Sequence, residues 1–581
     1  MNNSRNIQTS RSADLITHKI LIDGTELPAT VQVMNINVEK EINRIPSAKI
    51  ILIDGDPSSQ EFVLSNGSLL IPGKEIEIKA GYHSDEETIF KGIIIKHSLK
   101  IRASHSLLII ECRDKAVKMT SGRKSKFYLD SKDSDVIEEI VSPYGLDPDI
   151  EATGFQHKKI VRYDCTDWDF VITRAQANGK ICVVDDGKIT VKAPDFSQAE
   201  LETVAFGATL LDFDAEIDAR NQFSKVTSYV WNPANQEVTE TEATDPAVSL
   251  NGNLTAGELA SVIELENLEL RYGGTVADRS IQDWANAKAL FNQLSKVRGR
   301  VKFQGIPACK PNTTLMLEGV GDRFNGKVYI SAVRHEITEG QWTIDAQFGI
   351  NPNWFSETYN ISSQPASGLF PAIHGLQIGI VTQLESDPDG EDRIKIKCPM
   401  IDKDSEGIWA RIASLDAGNE RGVFFRPEIE DEVIVGFIND NPNDAVVLGM
   451  LNSSAKPAPL TAADANNEKG FVTREKIKFI FNDEKKSVVL ETPGGKKITV
   501  DDDAGVIKLE DENSNVITMN SDGIKMESNG KINLKAAQDV TIEGMNVSLK
   551  ANAMFKGEGS AGAELSTSGA AIVKGSVVQI N

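Results

Sequence analysis

The stretch Asp522–Ala551 reads DGIKMESNGKINLKAAQDVTIEGMNVSLKA. Its large apolar residues come in pairs two apart: Ile524 and Met526, Ile532 and Leu534, Val540 and Ile542, Val547 and Leu549. The first members of the pairs are spaced 8, 8 and 7 residues. A period of two is that of a strand with one apolar face. Upstream the same pairing runs through Ile477 and Phe479, Val488 and Leu490, Ile498 and Val500, Ile507 and Leu509, and Ile517 and Met519, at steps of 11, 10, 9 and 10 residues. Turn formers such as NDEKK, TPGGK, DDDAG, ENSN, SDG and SNG separate the pairs, so each unit is a short strand followed by a turn.

A strand with two inward residues cannot bury itself. A chain of such strands could coil into a solenoid, lie as a meander on the rest of the protein, or share a core with identical chains. A solenoid coil takes about 20 residues or more, longer than this beat. Three chains would put six apolar residues into each layer, enough to fill a narrow prism. The expected rod is a shared core of Ile507, Leu509, Ile517, Met519, Ile524, Met526, Ile532, Leu534, Val540, Ile542, Val547 and Leu549. Stacked at ~4.8 Å, about ten strands make a rod of roughly 50 Å. Its last segment, AGAELSTSGAAIVKGSVVQIN, turns to small residues and closes on Val577, Val578, Gln579, Ile580 and Asn581. An abrupt prism end leaves strand edges and an apolar layer unpaired, which invites another chain. These five residues are therefore the expected platform for a separate tip protein.

Outward from the rod, the chain reads as a series of modules. Residues 1–13 are rich in Asn, Ser, Arg and Gln and read as a mobile arm. Residues 14–120 are short strands joined by turns, as in EIEIKAGYH and SLLIIECRD, and predict a first β-barrel. Residues 121–198 form an α+β insert. Within it, DSDVIEEIV is a helix ended by Pro143 and Gly145, and TDWDFVITRAQANG is a helix capped by Thr166, stopped by Gly179 and buried through Trp168, Phe170, Val171 and Ala175. Residues 199–361 return to strands and predict a second barrel. One long helix interrupts it, with Ile281, Trp284, Ala287, Phe291 and Leu294 inward, Ser280 able to cap it and Gly299 able to stop it. Linkers are expected at 362–370 and 456–470, on either side of a strand-rich unit at 371–455. The rod occupies 471–581.

Composition narrows the function. The chain has 581 residues and a formal net charge of -23. Its acidity and lack of a long basic run argue against nucleic-acid binding and against docking on an anionic membrane. No stretch reaches the ~18–20 apolar residues of a membrane span. The start has no apolar core of a secretion signal, so synthesis in the cytoplasm is expected. Five dispersed cysteines without a CxxC read as reduced thiols.

Catalytic signatures are weak. There is no GxxxxGK loop, and GVGDRFNG from Gly319 has the wrong glycine spacing for a dinucleotide turn and reads as a tight turn between strands. HEITE from His335 is not HExxH, and His335 reads as a packed strand residue. DPDGED at Asp387 lacks the distal Glu of a calcium loop and reads as a solvated turn, as does the run Asp501, Asp502, Asp503. The last histidine is His374, and all cysteines also precede the rod, so the rod has no His or Cys metal apex. We expect no enzyme, no cofactor and no metal.

Five phrases carry a resemblance. GIVTQLESDPDGEDRIKIKCP, WARIASLDAGNERGVFFRPEIEDEVIVGF and NDNPNDAVVLGMLN over 376–452 are similar to the OB-fold module of the VgrG (valine-glycine repeat protein G) spikes and of the fused hub-and-spike proteins of contractile phage tails. TDWDFVITRAQANG resembles a hub helix of that family, and LEGVGDRFNGKVYISAVRHEI the close of its second barrel. The resemblance covers nearly the whole chain after the arm. It implies a mainly β homotrimer with two hub β-barrels, an α+β insert, an OB-fold barrel and a C-terminal intertwined triple-stranded β-helix. It further implies six hub barrels in a ring that matches an Hcp-like inner tube, baseplate proteins around it, a tip of the proline-alanine-alanine-arginine (PAAR) type, and effector cargo carried in a contractile injection machine. A trimeric β-fibre adhesin, or a spike carrying an unrecognised hydrolase, are the rival readings.

Overall fold

The computed structural model describes residues 15–246, 248, 251–274 and 278–580. The expected mobile arm at 1–13 and the terminal Asn581 lie outside these residues. The chain divides into two compact units, Met1–Pro371 and Ala372–Asn581. Among the described residues, no helix is long and apolar enough to cross a membrane.

The first unit is built on one sheet of thirteen strands. Its strands alternate buried and open positions, as Val33–Glu41 and Glu75–Tyr82 do, which is the pattern of a sheet with one face on a core. Two apolar cores lie along it. The N-terminal strands enclose one around Ile36, Ile50, Ile78, Phe90 and Leu108, and the C-terminal strands enclose the other around Val301, Phe303, Leu317, Ile330 and Ile344. The strand Gly326–Thr338 joins the two halves. It pairs antiparallel with Val33–Glu41, Ala332 standing opposite Glu41 and Ile337 opposite Ile36. The two hub regions thus share a continuous hydrogen-bonded ladder.

Between the halves sits the α+β insert. Helix Asp133–Val141 ends in a short turn and Gly145 at φ 67°. Helix Asp167–Ala177 is capped by the Thr166 hydroxyl, which accepts from Asp169 N at 3.0 Å, and is followed by Gly179 at φ 66°. Trp168, Phe170, Val171 and Ala175 are buried in the insert core. Asp133, itself buried, ties the two helices and a neighbouring strand together. Its carboxylate accepts from Arg174 Nε at 2.6 Å and from Asn178 Nδ2 at 2.9 Å, and lies 3.0 Å from His157 Nε2.

The long helix runs Asp278–Leu294, with Ile281, Ala287, Phe291 and Leu294 buried and Trp284 half-buried. Its ends differ from the sequence reading. Ser280 lies inside the helix, its Oγ buried without a partner, and Gly299 belongs to the next strand, Val297–Gln304. The glycine is required there by close approach, not by helix termination. A Cβ at 299 would stand 2.3 Å from the Asp214 carbonyl oxygen and 2.6 Å from the Phe348 ring. Gly299→Ala should therefore destabilise this sheet by about 1–3 kcal/mol, read as a lowered thermal midpoint of the full chain. An unchanged midpoint would mean that the sheet edge at Asp214 yields freely.

The second unit begins with a closed five-stranded barrel, in the order Gln377–Gln383, Ile394–Lys397, Ile408–Ile412, Ala445–Met450, Glu432–Phe437. Val381, Ile394, Ile396, Ala410, Val433, Val435 and Val447 fill it. Seven short strands follow: Glu468–Val472, Lys478–Asn482, Ser487–Glu491, Lys497–Asp501, Val506–Glu510, Val516–Asn520 and Gly523–Glu527. Each is antiparallel to the next. In this part of the rod the ladder is closed within one chain by hairpins, where the sequence reading expected pairing between chains. From residue 528 to 580 there is no strand.

Candidate functional site: an apolar face on the repeat

The hairpin register converts the sequence beat into two straight columns. In one, Phe471, Phe479, Leu490, Ile498, Leu509, Ile517 and Met526 each stand opposite the next. In the other, Phe481, Val488, Val500, Ile507, Met519 and Ile524 do the same. Period-two alternation puts both columns on one side of the sheet. The predicted pair Ile477 and Phe479 is corrected to Phe479 and Phe481, because Ile477 precedes the strand that begins at Lys478. The far side carries Ile480, Val489, Thr499, Lys508, Thr518 and Lys525 in register. Ion pairs border the sheet, including Lys478 with Glu491 at 3.6 Å and Lys496 with Glu512 at 2.9 Å.

The apolar face is open. Ile498, Val500, Ile507 and Leu509 keep about two fifths of their surface, and Ile524 keeps 70 %. At its lower end, Ile498, Leu509, Ile517, Met526 and Ile532 line a hollow of about 830 Å³. Within the unit Ala372–Asn581 the columns below Phe471 keep their apolar side open. Of the twelve residues expected in a shared core, Ile507, Leu509, Ile517, Met519, Ile524 and Met526 fall on these columns. Ile532, Leu534, Val540, Ile542, Val547 and Leu549 follow the last strand and are exposed, as are Val577, Val578 and Ile580. Gln579 is exposed too.

At the top of the face lies a contact that the repeat itself does not announce. The Phe425 ring, from the loop after the barrel strand Ile408–Ile412, stacks on Phe471 with centroids 5.3 Å apart. Arg474 Nη1 donates to Glu428 Oε2 at 2.8 Å beside it.

The groups weighed for chemistry have structural roles. His335 lies buried on the strand Gly326–Thr338, where desolvation, with Lys40 nearby, pushes its pKa down to about 3 and keeps the ring neutral. GVGDRFNG is the turn before that strand, with Gly319 and Gly321 at positive φ. Asp387 accepts from Arg393 Nε at 3.0 Å, and the Arg393 guanidinium holds its carboxyl well below the usual range; a further bond from Glu391 N at 3.0 Å helps close the barrel turn. The five cysteines are buried free thiols. Burial pushes Cys112 and Cys309 up to about 12. Among the described residues, no group of three His, Cys, Asp or Glu could hold a metal ion.

Three family models match the chain. Residues 12–339 match an Alg8 N-terminal domain. Residues 377–451 match the type VI secretion system/phage-baseplate injector OB domain. Residues 487–553 match the phage baseplate V C-terminal trimerisation domain. Among solved structures, the chain is similar to the 43 kDa tail protein of prophage MuSo2 from Shewanella oneidensis, at 11% identity over 58% of this chain and 98% of that one, with a TM-score of 0.44. An Escherichia coli component of the type VI secretion system matches at 13% identity over 74% of this chain and 100% of that one, with a TM-score of 0.38. The Francisella PdpA-VgrG complex matches at 10% identity over 88% of this chain and 80% of that one, also at 0.38. The family models therefore meet the structure at the OB barrel and along the repeat that carries the apolar face. The chain belongs to the family defined by the Alg8 N-terminal domain, and with the injector OB domain and the phage baseplate V trimerisation domain in order behind it, it is a hub and spike of a contractile injection system.

Proposed function

We propose that the apolar columns are where three copies meet, and that the rod they build is a mechanical element without catalytic activity. The observation that carries this reading is the open face itself. Each layer of one chain offers two large apolar side chains on one side, and from Thr499 onward the middle position of the other side is Thr or Lys. Three such faces turned inward bring six side chains into each layer. A side chain that is two fifths open then gains about 1 kcal/mol from burying that remaining surface. Past Glu527 the pairs from Ile532 to Leu549 have no strand partner in the chain, and backbone groups buried in a rod require partners. Neighbouring chains supply them, so the prism of hairpin sheets continues as an intertwined triple-stranded β-helix.

In this reading residues 14–120, 121–198 and 199–361 form the hub, with the ring of three hubs seated on an Hcp-like inner tube and on baseplate proteins. Residues 371–455 are the OB collar between the linkers 362–370 and 456–470, and 471–581 are the spike. The assembled spike is carried in the particle with effector cargo and leaves it on firing. Light scattering of the full chain should give the mass of three copies, and electron microscopy should place it on the tube axis at the centre of the baseplate. A folded monomer, or density only on the particle periphery, would overturn the reading.

The terminal segment Val577–Asn581 is the docking platform for a PAAR-type tip. Removing these five residues should leave the trimer intact, because the columns up to Met526 remain, and should abolish co-purification with the tip protein. Undiminished co-purification of the truncated trimer would place the platform elsewhere.

A further inference from the structure

The OB barrel carries two exposed apolar features; within the chain, the Phe424 ring of the first meets the Arg426 guanidinium, 5.1 Å from its centre. The first is the loop between the strands Ile408–Ile412 and Glu432–Phe437. Its backbone is held in one shape. Val423 N donates to the Asp416 carbonyl at 2.9 Å, and the Ser414 hydroxyl donates to the Val423 carbonyl at 2.9 Å. Arg421 Nη1 donates to both Asp416 carboxylate oxygens, at 2.8 and 2.9 Å. Gly422 at φ 134° allows the close return, since a Cβ there would stand 2.4 Å from the Asp416 carbonyl oxygen. Yet this fixed loop holds Leu415 at 92 % and Phe424 at 78 % exposure. A mobile loop loses little by leaving such side chains in water, but a preorganised one gains affinity when they dock.

The second feature is the outer face of the barrel. Val433, Val435 and Val447 point inward, so period-two alternation turns Ile434, Gly436 and Leu448 outward. A solvated face of an antiparallel sheet is ordinarily polar at those positions. Here Leu376, Ile378, Leu448 and Met450 are all exposed, and Gly436 gives the patch a low floor, with Leu448 Cδ1 3.2 Å and Leu376 Cδ2 3.6 Å from where its Cβ would be.

We infer that the loop of one copy seats Phe424 and Leu415 on the outer barrel face of the next copy, so that three collars lock in a ring. The occupant is a second copy of this chain because the loop is continuous with the face assigned to the trimer. Its Phe425 stacks on Phe471, the first residue of a column, while the adjacent Phe424 is left outside. A contact that joins two different surfaces on identical chains closes into a ring when the symmetry closes, and the rod already imposes threefold closure. The inference rests on the trimer reading above.

The test uses the full chain with Phe424→Cys and Leu448→Cys together. The native thiols are all buried, so a short bismaleimide linker reports the new pair. Bands at the mass of two and three copies on a denaturing gel, absent from each single variant, are expected. Monomer bands alone from a sample that light scattering shows to be a trimer would overturn the collar contact and leave the trimer standing. Light scattering at monomer mass would remove the trimer reading and this inference with it. Independently, Phe424→Asp should shift trimer dissociation to lower denaturant without changing the unfolding of the hub. An unshifted dissociation curve would overturn the collar contact.

Discussion

Leu509→Asp made together with Ile498→Asp is expected to leave the chain a folded monomer. The two residues stand opposite each other on adjacent strands, in the same column of the apolar face. In three copies the pair of substitutions brings six carboxylates into one narrow region of the rod. Loss of each large buried side chain costs about 2–5 kcal/mol, and carboxylates placed together without cations resist burial further. The trimer thus loses on the order of 10 kcal/mol or more, comparable to the whole stability of an ordinary domain. The monomer pays less, because about two fifths of each side chain is already in water there and the new carboxylates stay on an open face. Light scattering should fall to one chain mass, while far-ultraviolet dichroism keeps the hub and barrel signal. Equal changes on the far face, Thr499→Asp with Thr518→Asp, should leave the mass at three copies. A trimer that survives the first pair would show that the columns are not its core.

Asp133→Ala is expected to be the most damaging single change in the hub. The carboxylate is buried and accepts from Arg174 Nε and Nη2 at 2.6 and 2.9 Å and from Asn178, with His157 3.0 Å away. Removing it leaves the Arg174 guanidinium without its partner in a partly buried site, which costs about 3–5 kcal/mol. The surrounding donors overcome the desolvation that burial imposes and hold the Asp133 pKa well below the carboxylate range. Its contribution is therefore present above the unfolded pKa of about 3.9 and is lost as pH falls through the lower folded value. The stability gap between the native protein and Asp133→Ala should be full at pH 7 and shrink steadily below about pH 4. Denaturant unfolding at several pH values measures it. A gap that is constant, or that widens on acidification, would show that the carboxylate acts through packing alone.

The features legible from the sequence are those with local causes. The Thr166 cap, the turn at Gly145, the inward residues of the helix Asp167–Ala177 and the alternation of Ile394 and Ile396 with Lys395 and Lys397 each need only a few neighbouring residues to decide them. The paired apolar beat of the rod is of the same kind, since a strand of five with two inward side chains states its own period. Misplacements arose where a distant partner decided. Gly299 resembles a helix stop, yet it exists because Asp214 and Phe348 cross over it. Ile477 fits the beat, but the register with Leu490 selects Phe479, and Val488 selects Phe481. The ladder between Val33–Glu41 and Gly326–Thr338 makes one sheet of two regions nearly three hundred residues apart, and no local pattern encodes which strand edge meets which. The same holds for Phe425 on Phe471 and for Arg174 on Asp133. The periodicity of the chain determined that the protein is a β-repeat with an apolar side to cover. Its tertiary structure decided that the first seven strands pair within the chain, because hairpin register aligned the pairs into two columns and left their apolar side open.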